Sequence, residues 1–461
     1  METLERQFEQ TKQAFLDQAT PNVNQRIEQL QFLKEVLLRY QQDIFDSLHQ
    51  DFEGRSVQDT LLEFLPCINN IDYTIEHLPE WVKSSQRDPG ALLSGTSKAK
   101  VVYQPKGVVG IISTWNAPIM VTLNPLTTVI ATGNRAMIKM SEFTPHFNAV
   151  LRTILEEVFY TNEVCIIEGE AEVAAQFSSL PFDHILFTGS STVGKLVMKA
   201  ASENLTPVTL ELGGKSPVLI DDTQEIDHIV ERIIIGKSAN NGQLCIAPDY
   251  VLLPEDRLDE FVTAYRNYYQ KLFPKGVDSE ELTSVINERQ FKRVQGLMEN
   301  NESIIPCHEN AFDTDHHRMV THLVIDPSLD SKVMSEEVFG PLLPIITYRD
   351  ITKALQIILD RPKPLALYIF STHQSLIQEV EQNMFSGGLC VNDTIFQAAV
   401  DDAPFGGVGF SGMGHYHGIE GFYTFSHAKT VLETGDNYQM QHLFTPGNNP
   451  LKDSIFQTIS Q

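Results

Sequence analysis

Apolar residues recur every three or four positions through most of the first 80 residues. Ile27, Leu30, Leu33, Leu37, Tyr40, Ile44 and Leu48 fall on one helical stripe, and Leu65, Ile68, Ile71, Ile75 and Leu78 repeat it. Thr20-Pro21 supplies a helix-start signal just upstream. From Gly107 the pattern changes. Short runs that are apolar on both faces, at residues 108–113, 136–140, 164–167, 184–188 and 208–212, alternate with helical stripes such as Phe147, Val150, Leu151, Ile154, Leu155 and Val158. The alternation resumes after residue 245. Strand-like runs at 250–253, 321–325, 343–347, 365–370 and 389–391 are interleaved with helical stretches at 258–272, 281–300, 352–360 and 375–382. Strands hydrophobic on both faces between amphipathic helices predict an α/β protein with two doubly wound units, each a mostly parallel sheet covered on both sides. Ligands in such folds bind beyond the carboxyl ends of the strands, so the residues that follow each strand are the first candidates for chemistry. Residues 86–106, small and polar before Val101-Val102-Tyr103-Gln104-Pro105, read either as a linker or as a projecting strand pair.

Composition narrows the class. At 461 residues the chain is long enough for two or three domains. Its 34 basic and 60 acidic residues give a formal charge of −26, spread along the chain, which disfavours nucleic acid and anionic membranes as partners. Five scattered cysteines without CxxC spacing point to reduced thiols, and the charged start METLERQFEQ lacks the apolar core of a signal peptide. No run reaches the ~18 apolar residues of a membrane span. The expectation is a cytoplasmic protein.

Cys245 lies in the turn Asn240-Asn241-Gly242-Gln243-Leu244-Cys245, between a helical segment and a strand and near the junction of the two units, where a sulfur can face a cleft. Glu211 ends a strand beside Gly213 and Gly214; a half-buried carboxylate there can serve as a base, or be merely paired. Asn116, in Trp115-Asn116-Ala117-Pro118, follows the first long strand and offers an amide for a developing oxyanion, or simply turns the chain. Gly189-Ser190 opens a helix after a strand, a geometry suited to phosphate and also common as plain structure. Gly407-Val408-Gly409-Phe410-Ser411-Gly412 matches GxGxxG in letters but has no strand before it, and Gly214-Lys215-Ser216 and Gly236-Lys237-Ser238 lack the first glycine of a P-loop. His316-His317 and His415-Tyr416-His417 lack neighbouring ligands at metal spacing, so no metal is expected.

In order and spacing these segments resemble the aldehyde dehydrogenase superfamily over residues ~100–430: WNAP, Lys139 and Glu142, FTGSSTVG, LELGGK, NxGQxC, Glu336-Glu337-Val338-Phe339-Gly340-Pro341 and PFGGVGFSGMG. Glu211 precedes Cys245 by 34 positions, the family's spacing, and the ending through His415-Tyr416-His417 is most similar to the class-3 and coniferyl aldehyde dehydrogenase branch. The resemblance implies that Cys245 is the nucleophile, Glu211 the base for a deacylating water, and Asn116 with the Cys245 N–H the oxyanion hole. It further implies a bound NAD, with NADP as the alternative: Lys139 and Glu142 at the adenosine ribose, Gly189, Ser190 and Val193 at the phosphate helix, and Glu337, Phe339 and Trp115 around the nicotinamide ribose. Ala117 and Leu244 would shape the substrate channel, Ala117 standing where the family usually has Tyr or Phe.

The implied layout is a cofactor domain from 1–85 and 107–211, an oligomerisation arm from 86–106 and 427–440, a catalytic domain from 212–415, and C-terminal segments at 416–426 and 441–461, assembled as a homodimer. The implied reaction is NAD(P)-dependent oxidation of an aldehyde, aromatic or long-chain, to its acid. A CoA-acylating relative and a catalytically silent scaffold are the competing readings; Glu211 argues against the first and the intact Cys245, Glu211 and Asn116 against the second.

Overall fold

Five parallel strands form the first sheet, in the order Val208–Leu212, His184–Gly189, Val108–Ile112, Arg135–Lys139 and Val164–Ile167 in the computed structural model, which describes residues 3–90, 93–436, 446–447 and 450–459. Their residues are almost all buried, as continuous Val/Ile/Leu runs require. The first strand, Val108–Ile112, has its chain successor on one side and His184–Gly189 on the other. That reversal of winding leaves a crevice beyond the strands' carboxyl ends. Helix Met120–Thr132 is buried on every side, its threonines and Asn124 included, and packs against Val23–Arg39 and Val57–Trp81. The N-terminal stripe is helical as expected but breaks at Tyr40, where one helix ends and Gln41–Asp51 begins.

The second sheet runs Ile304–Pro306, His322–Ile325, Leu342–Tyr348, Tyr250–Pro254, Pro217–Ile220, Ala366–Phe370 and Gly388–Val391, parallel except for its first edge strand. Separate apolar clusters fill its two faces. Cys245 lies just before Tyr250–Pro254, so this sheet presents the amino ends of its strands to the site. The rule that residues after strands matter therefore holds for the first sheet and does not extend to the position of Cys245 in the second.

Two segments return late in the sequence. Gly412–Met413 pairs antiparallel with Val208–Leu212 at the edge of the first sheet, opposite Glu211 and Leu210. The expected block 212–415 thus gives its end to the other sheet. Ser426–Thr434 pairs along its whole length with Ser97–Pro105, which also pairs with Ser85–Arg87, so the stretch read as linker or strand pair supplies a strand pair at its two ends, residues 91–92 between them lying outside the described residues. Of the expected segments 427–440 and 441–461, residues 437–445, 448–449 and 460–461 lie outside the described residues. No helix among the described residues is long and apolar enough to cross a membrane.

Candidate active site

The loop carrying Cys245 is fastened by its own amides. Asn240 and Asn241 both adopt left-handed backbone angles (φ 47° and 52°), which Asn tolerates better than most residues. Asn240 N–H donates to Asp59 (2.8 Å), Asn241 Nδ2 to the Thr283 carbonyl (3.0 Å), and Gln243 Nε2 to the Ser284 carbonyl (3.0 Å). Gly242, also left-handed, leaves no room for a side chain because a Cβ would lie 2.5 Å from the Gly340 carbonyl oxygen. Asn116 Nδ2 donates one hydrogen to the Gln243 carbonyl (3.0 Å), leaving its second amide hydrogen uncommitted. Asn240 Nδ2 (2.8 Å) and Arg55 Nη1 (3.1 Å) in turn both donate to the Asn116 main-chain carbonyl.

Cavities lie on both sides of this loop. One, of about 870 Å³, is walled by Leu62, Pro66, Ala117, Val121, Leu244, Ile395, Phe396, Phe405 and Tyr416, with Arg55, Asp59, Glu63 and His417 also reaching it. The other, about 840 Å³, lies along the crevice of the first sheet and is bordered by Trp115, Thr188, Gly189, Ser190, Glu211, Gly213, Arg293, Glu337 and Phe339. Among the described residues, Asn116 and Cys245 are the two that border both. Strained backbone collects here too: Phe339 (φ 42°) and the β-branched Ile395 (φ 56°) join the two asparagines.

The second cavity is rich in carboxylate. Neither oxygen of buried Glu211 has a hydrogen-bond partner, nor does Thr188 Oγ1, so this cleft holds polar groups that await a ligand. Gly213 makes the seat for Glu337, since a Cβ there would overlap its carboxylate. Three groups clamp the loop that carries Glu337. Lys215 binds Asp249 and donates to the Val333 (2.7 Å) and Glu336 (2.8 Å) carbonyls, Asp249 accepts from Val338 N–H (2.8 Å), and Arg293 donates to the Val338 carbonyl (2.6 Å). The lysine of the false P-loop is thus a structural staple.

Burial raises Glu211 well above the ordinary carboxylate range and Glu337 to about 8, with Asp249 adding to the latter. Burial, then Glu337 and Glu211, push the Cys245 thiol up to about 12, against the lowering effect of the N–H groups of Cys245 and Ile246. The reactive form is the thiolate, and below the thiol's pKa its population grows with pH. Inactivation of the cofactor-free protein by iodoacetamide is therefore expected to accelerate about tenfold per pH unit between pH 7 and pH 9. A plateau inside that range would show a thiol far more acidic than this cleft provides.

The remaining residues singled out in the sequence divide between the two cavities and positions outside both. Trp115 and Phe339 meet edge to face at 5.4 Å, and Ser190 caps the helix Ser191–Ser202 through Val193 N–H (3.3 Å). Lys139, buried, donates to the Met140 carbonyl (2.7 Å) and lies 3.9 Å from the exposed Glu142; these two and Val193 border neither cavity. His316 is exposed and pairs with Asp313 (2.7 Å), whereas His417 borders the first cavity.

Sequence reading missed Arg55, Asp59 and Glu63, because only the apolar stripe of that helix was followed. Their spacing of four, beginning beside the Ser56 cap, was the available signal. Arg55 pairs with Glu63, and Glu63 accepts from Ile119 N–H (3.0 Å) at the start of Met120–Thr132. Arg55→Met leaves that carboxylate buried without its cation and is expected to cost about 3–5 kcal/mol of stability, measured by urea unfolding. A loss within a few tenths of a kcal/mol would mean that the pair does not hold this corner together.

With the geometry established, known proteins supply its context. The model of the aldehyde dehydrogenase family matches residues 1–431. This chain belongs to the aldehyde dehydrogenase family. It is 43% identical to the probable coniferyl aldehyde dehydrogenase of Pseudomonas aeruginosa over 459 residues, 98% of this chain and 96% of that one. It is 40% identical to the coniferyl aldehyde dehydrogenase of a Pseudomonas species, covering 92% and 89% of the two chains. A solved structure described as a substrate-bound state of Staphylococcus aureus AldH superposes with a TM-score of 0.93 at 35% identity, over the whole of both chains. The protein is an NAD(P)-dependent aldehyde dehydrogenase that oxidises an aldehyde to the carboxylic acid. The unpartnered Thr188 and Glu211 atoms, the helix start at Ser190 and the Trp115–Phe339 walls make the second cavity a fitting home for that dinucleotide.

Proposed function

We propose that Cys245 attacks the aldehyde in the first cavity while the dinucleotide occupies the second. The observation that carries this reading is the position of Asn116 and Cys245 on the border of both. Sγ of the Cys245 thiolate adds to the carbonyl carbon. The free amide hydrogen of Asn116 and the Cys245 N–H hold the oxyanion. A nicotinamide bound in the second cavity would supply the hydride acceptor, and loss of hydride leaves the acyl group on Cys245 Sγ as a thioester. Glu211 then takes a proton from water, the hydroxide attacks the thioester, and the acid leaves as the thiol is restored. Water rather than CoA resolves the thioester, since Glu211 stands free in the cleft.

Trp115, Glu337 and Phe339 would hold the nicotinamide half, Gly189, Ser190 and Val193 the phosphates, and Lys139 with Glu142 the adenosine ribose. The Glu142 carboxylate accepts from a free 2′-hydroxyl and repels a 2′-phosphate, which favours NAD over NADP. Residues 1–85 and 107–211 then act as the cofactor domain, with 212–415 supplying the nucleophile. The strands Ser85–Arg87, Ser97–Pro105 and Ser426–Thr434 serve as the arm of a homodimer in the cytoplasm.

The apolar walls around Ala117, Leu244, Phe396 and Phe405, together with the relatives' names, favour an aromatic aldehyde. A panel of aliphatic and aromatic aldehydes, each run with NAD and with NADP, tests the reading; no cofactor reduction with any aldehyde would overturn it. Within the panel, Ala117→Phe is expected to lower kcat/KM for bulky aromatic aldehydes by roughly 10-fold or more relative to short aliphatic ones, by narrowing the channel. Equal losses on both would take Ala117 out of the channel wall.

A further inference from the structure

His417 is only 2% exposed, yet neither of its ring nitrogens has a hydrogen-bond partner in the protein. The ring stacks on Phe405 (centroids 5.4 Å apart, planes 28°) and meets Tyr416 edge to face (4.7 Å, 84°), so its plane is fixed from two sides. It borders the cavity that Cys245 also borders. The grouped metal-ligating side chains among the described residues, Asp221, Asp222 and His373, do not include it. Nor does the reaction above use it. Buried polar atoms are nearly always paired, so an imidazole on the border of a substrate cavity, with both nitrogens unpaired in the protein, is open to a partner supplied from that cavity.

We propose that His417 is a specificity residue that hydrogen-bonds a hydroxyl group carried by the aldehyde substrate, remote from the reacting carbon. Burial lowers the imidazole to about 4, so it is neutral, with one N–H and one lone pair. A hydroxyl donates and accepts, and so pairs with either tautomer. A carboxylate is a poor occupant: Asp59 and Glu63 border the same cavity, and its one guanidinium, Arg55, is already paired with Glu63. The other walls are apolar or aromatic, which leaves a neutral ring bearing a hydroxyl as the matching chemistry. This inference rests on the assignment of the cavity to the aldehyde.

The test compares hydroxy- and methoxy-substituted cinnamaldehydes and benzaldehydes, substituted at ring position 3 or 4, at about pH 6.5 where phenols are neutral. Within each pair the substituents influence the aldehyde's reactivity alike. In His417→Phe, which keeps the stacked ring and removes both nitrogens, the hydroxy-to-methoxy ratio of kcat/KM should fall roughly 10-fold or more in at least one pair. An unchanged ratio in every pair overturns the proposal, whatever the absolute rates.

A measurement on the unaltered protein does not depend on the variant folding. Hydroxycinnamyl alcohol, which carries no aldehyde, should protect Cys245 from iodoacetamide at roughly tenfold lower concentration than methoxycinnamyl alcohol. Equal protective concentrations also overturn it. Aldehyde turnover without any hydroxyl preference sinks this inference alone, whereas no turnover of any aldehyde sinks the assignment on which it rests.

Discussion

Glu211→Gln is expected to reduce about one equivalent of cofactor per active site in a rapid burst and then nearly stop. The substitution keeps the size of the side chain and removes only its ability to take a proton. Both carboxylate oxygens are buried, free of protein partners and on the wall shared with Cys245 and Asn116, so no neighbour is positioned to replace them. General base catalysis is worth roughly 10²–10⁴ in rate, and the steady state should fall by that factor while the burst survives. Because burial raises the Glu211 carboxyl, its basic form grows with pH, and wild-type deacylation should quicken with pH where the variant's does not. Stopped-flow absorbance follows the burst, and intact-protein mass spectrometry should find the acyl group on the variant. Turnover near that of the wild type would remove Glu211 from the mechanism.

Asn116→Ala acts on the other half of the reaction. Its amide is the side-chain donor beside the sulfur, and loss of one such donor typically costs 10²–10³ in rate. The change also removes the Asn116 Nδ2 bond to the Gln243 carbonyl, but Asn240 Nδ2 reaches the same carbonyl (3.4 Å) and Arg55 and Asn240 hold the main-chain carbonyl of residue 116, so the loop should survive. The expected result is a slow single-turnover reduction of cofactor with no burst, a signature opposite to that of Glu211→Gln. A burst at the wild-type rate would show that the Cys245 N–H suffices alone.

The fold was largely legible in the sequence because its strands are buried on both faces: Val164–Ile167, Val208–Leu212 and the helix Leu258–Leu272 fall where periodicity put them. Cys245, Glu211 and Asn116 were visible because each stands next to a strand or glycine turn, and the structure brings them to one wall. What periodicity could not show is contact made across distance in the chain. Glu63 of the Arg55–Glu63 pair sits on a helix whose apolar stripe hides it, Arg55 lies just before the cap of that helix, and the pair's importance comes from an Asn116 carbonyl 61 positions from Arg55. The tie of Lys215 to the loop of Glu337 spans more than 100 positions and looks from sequence like a nucleotide motif. His417 offered no metal spacing in the sequence and read as a surface or packing histidine; its aromatic neighbours and its empty hydrogen-bonding positions are visible only in the fold.

The late return of Gly412–Met413 to the edge of the first sheet bears on how the protein is made. At ~5–20 residues per second, roughly 10–40 s of synthesis separate the emergence of Val208–Leu212 from that of the strand that covers its edge. The open side of Ser97–Pro105 waits longer still for Ser426–Thr434. During that interval a nascent chain carries a nearly complete sheet with a bare edge able to pair with any neighbouring chain. The vulnerable moment in the life of this protein is thus on the ribosome, and fragments ending before residue 412 should aggregate even though every residue of the first five strands is present.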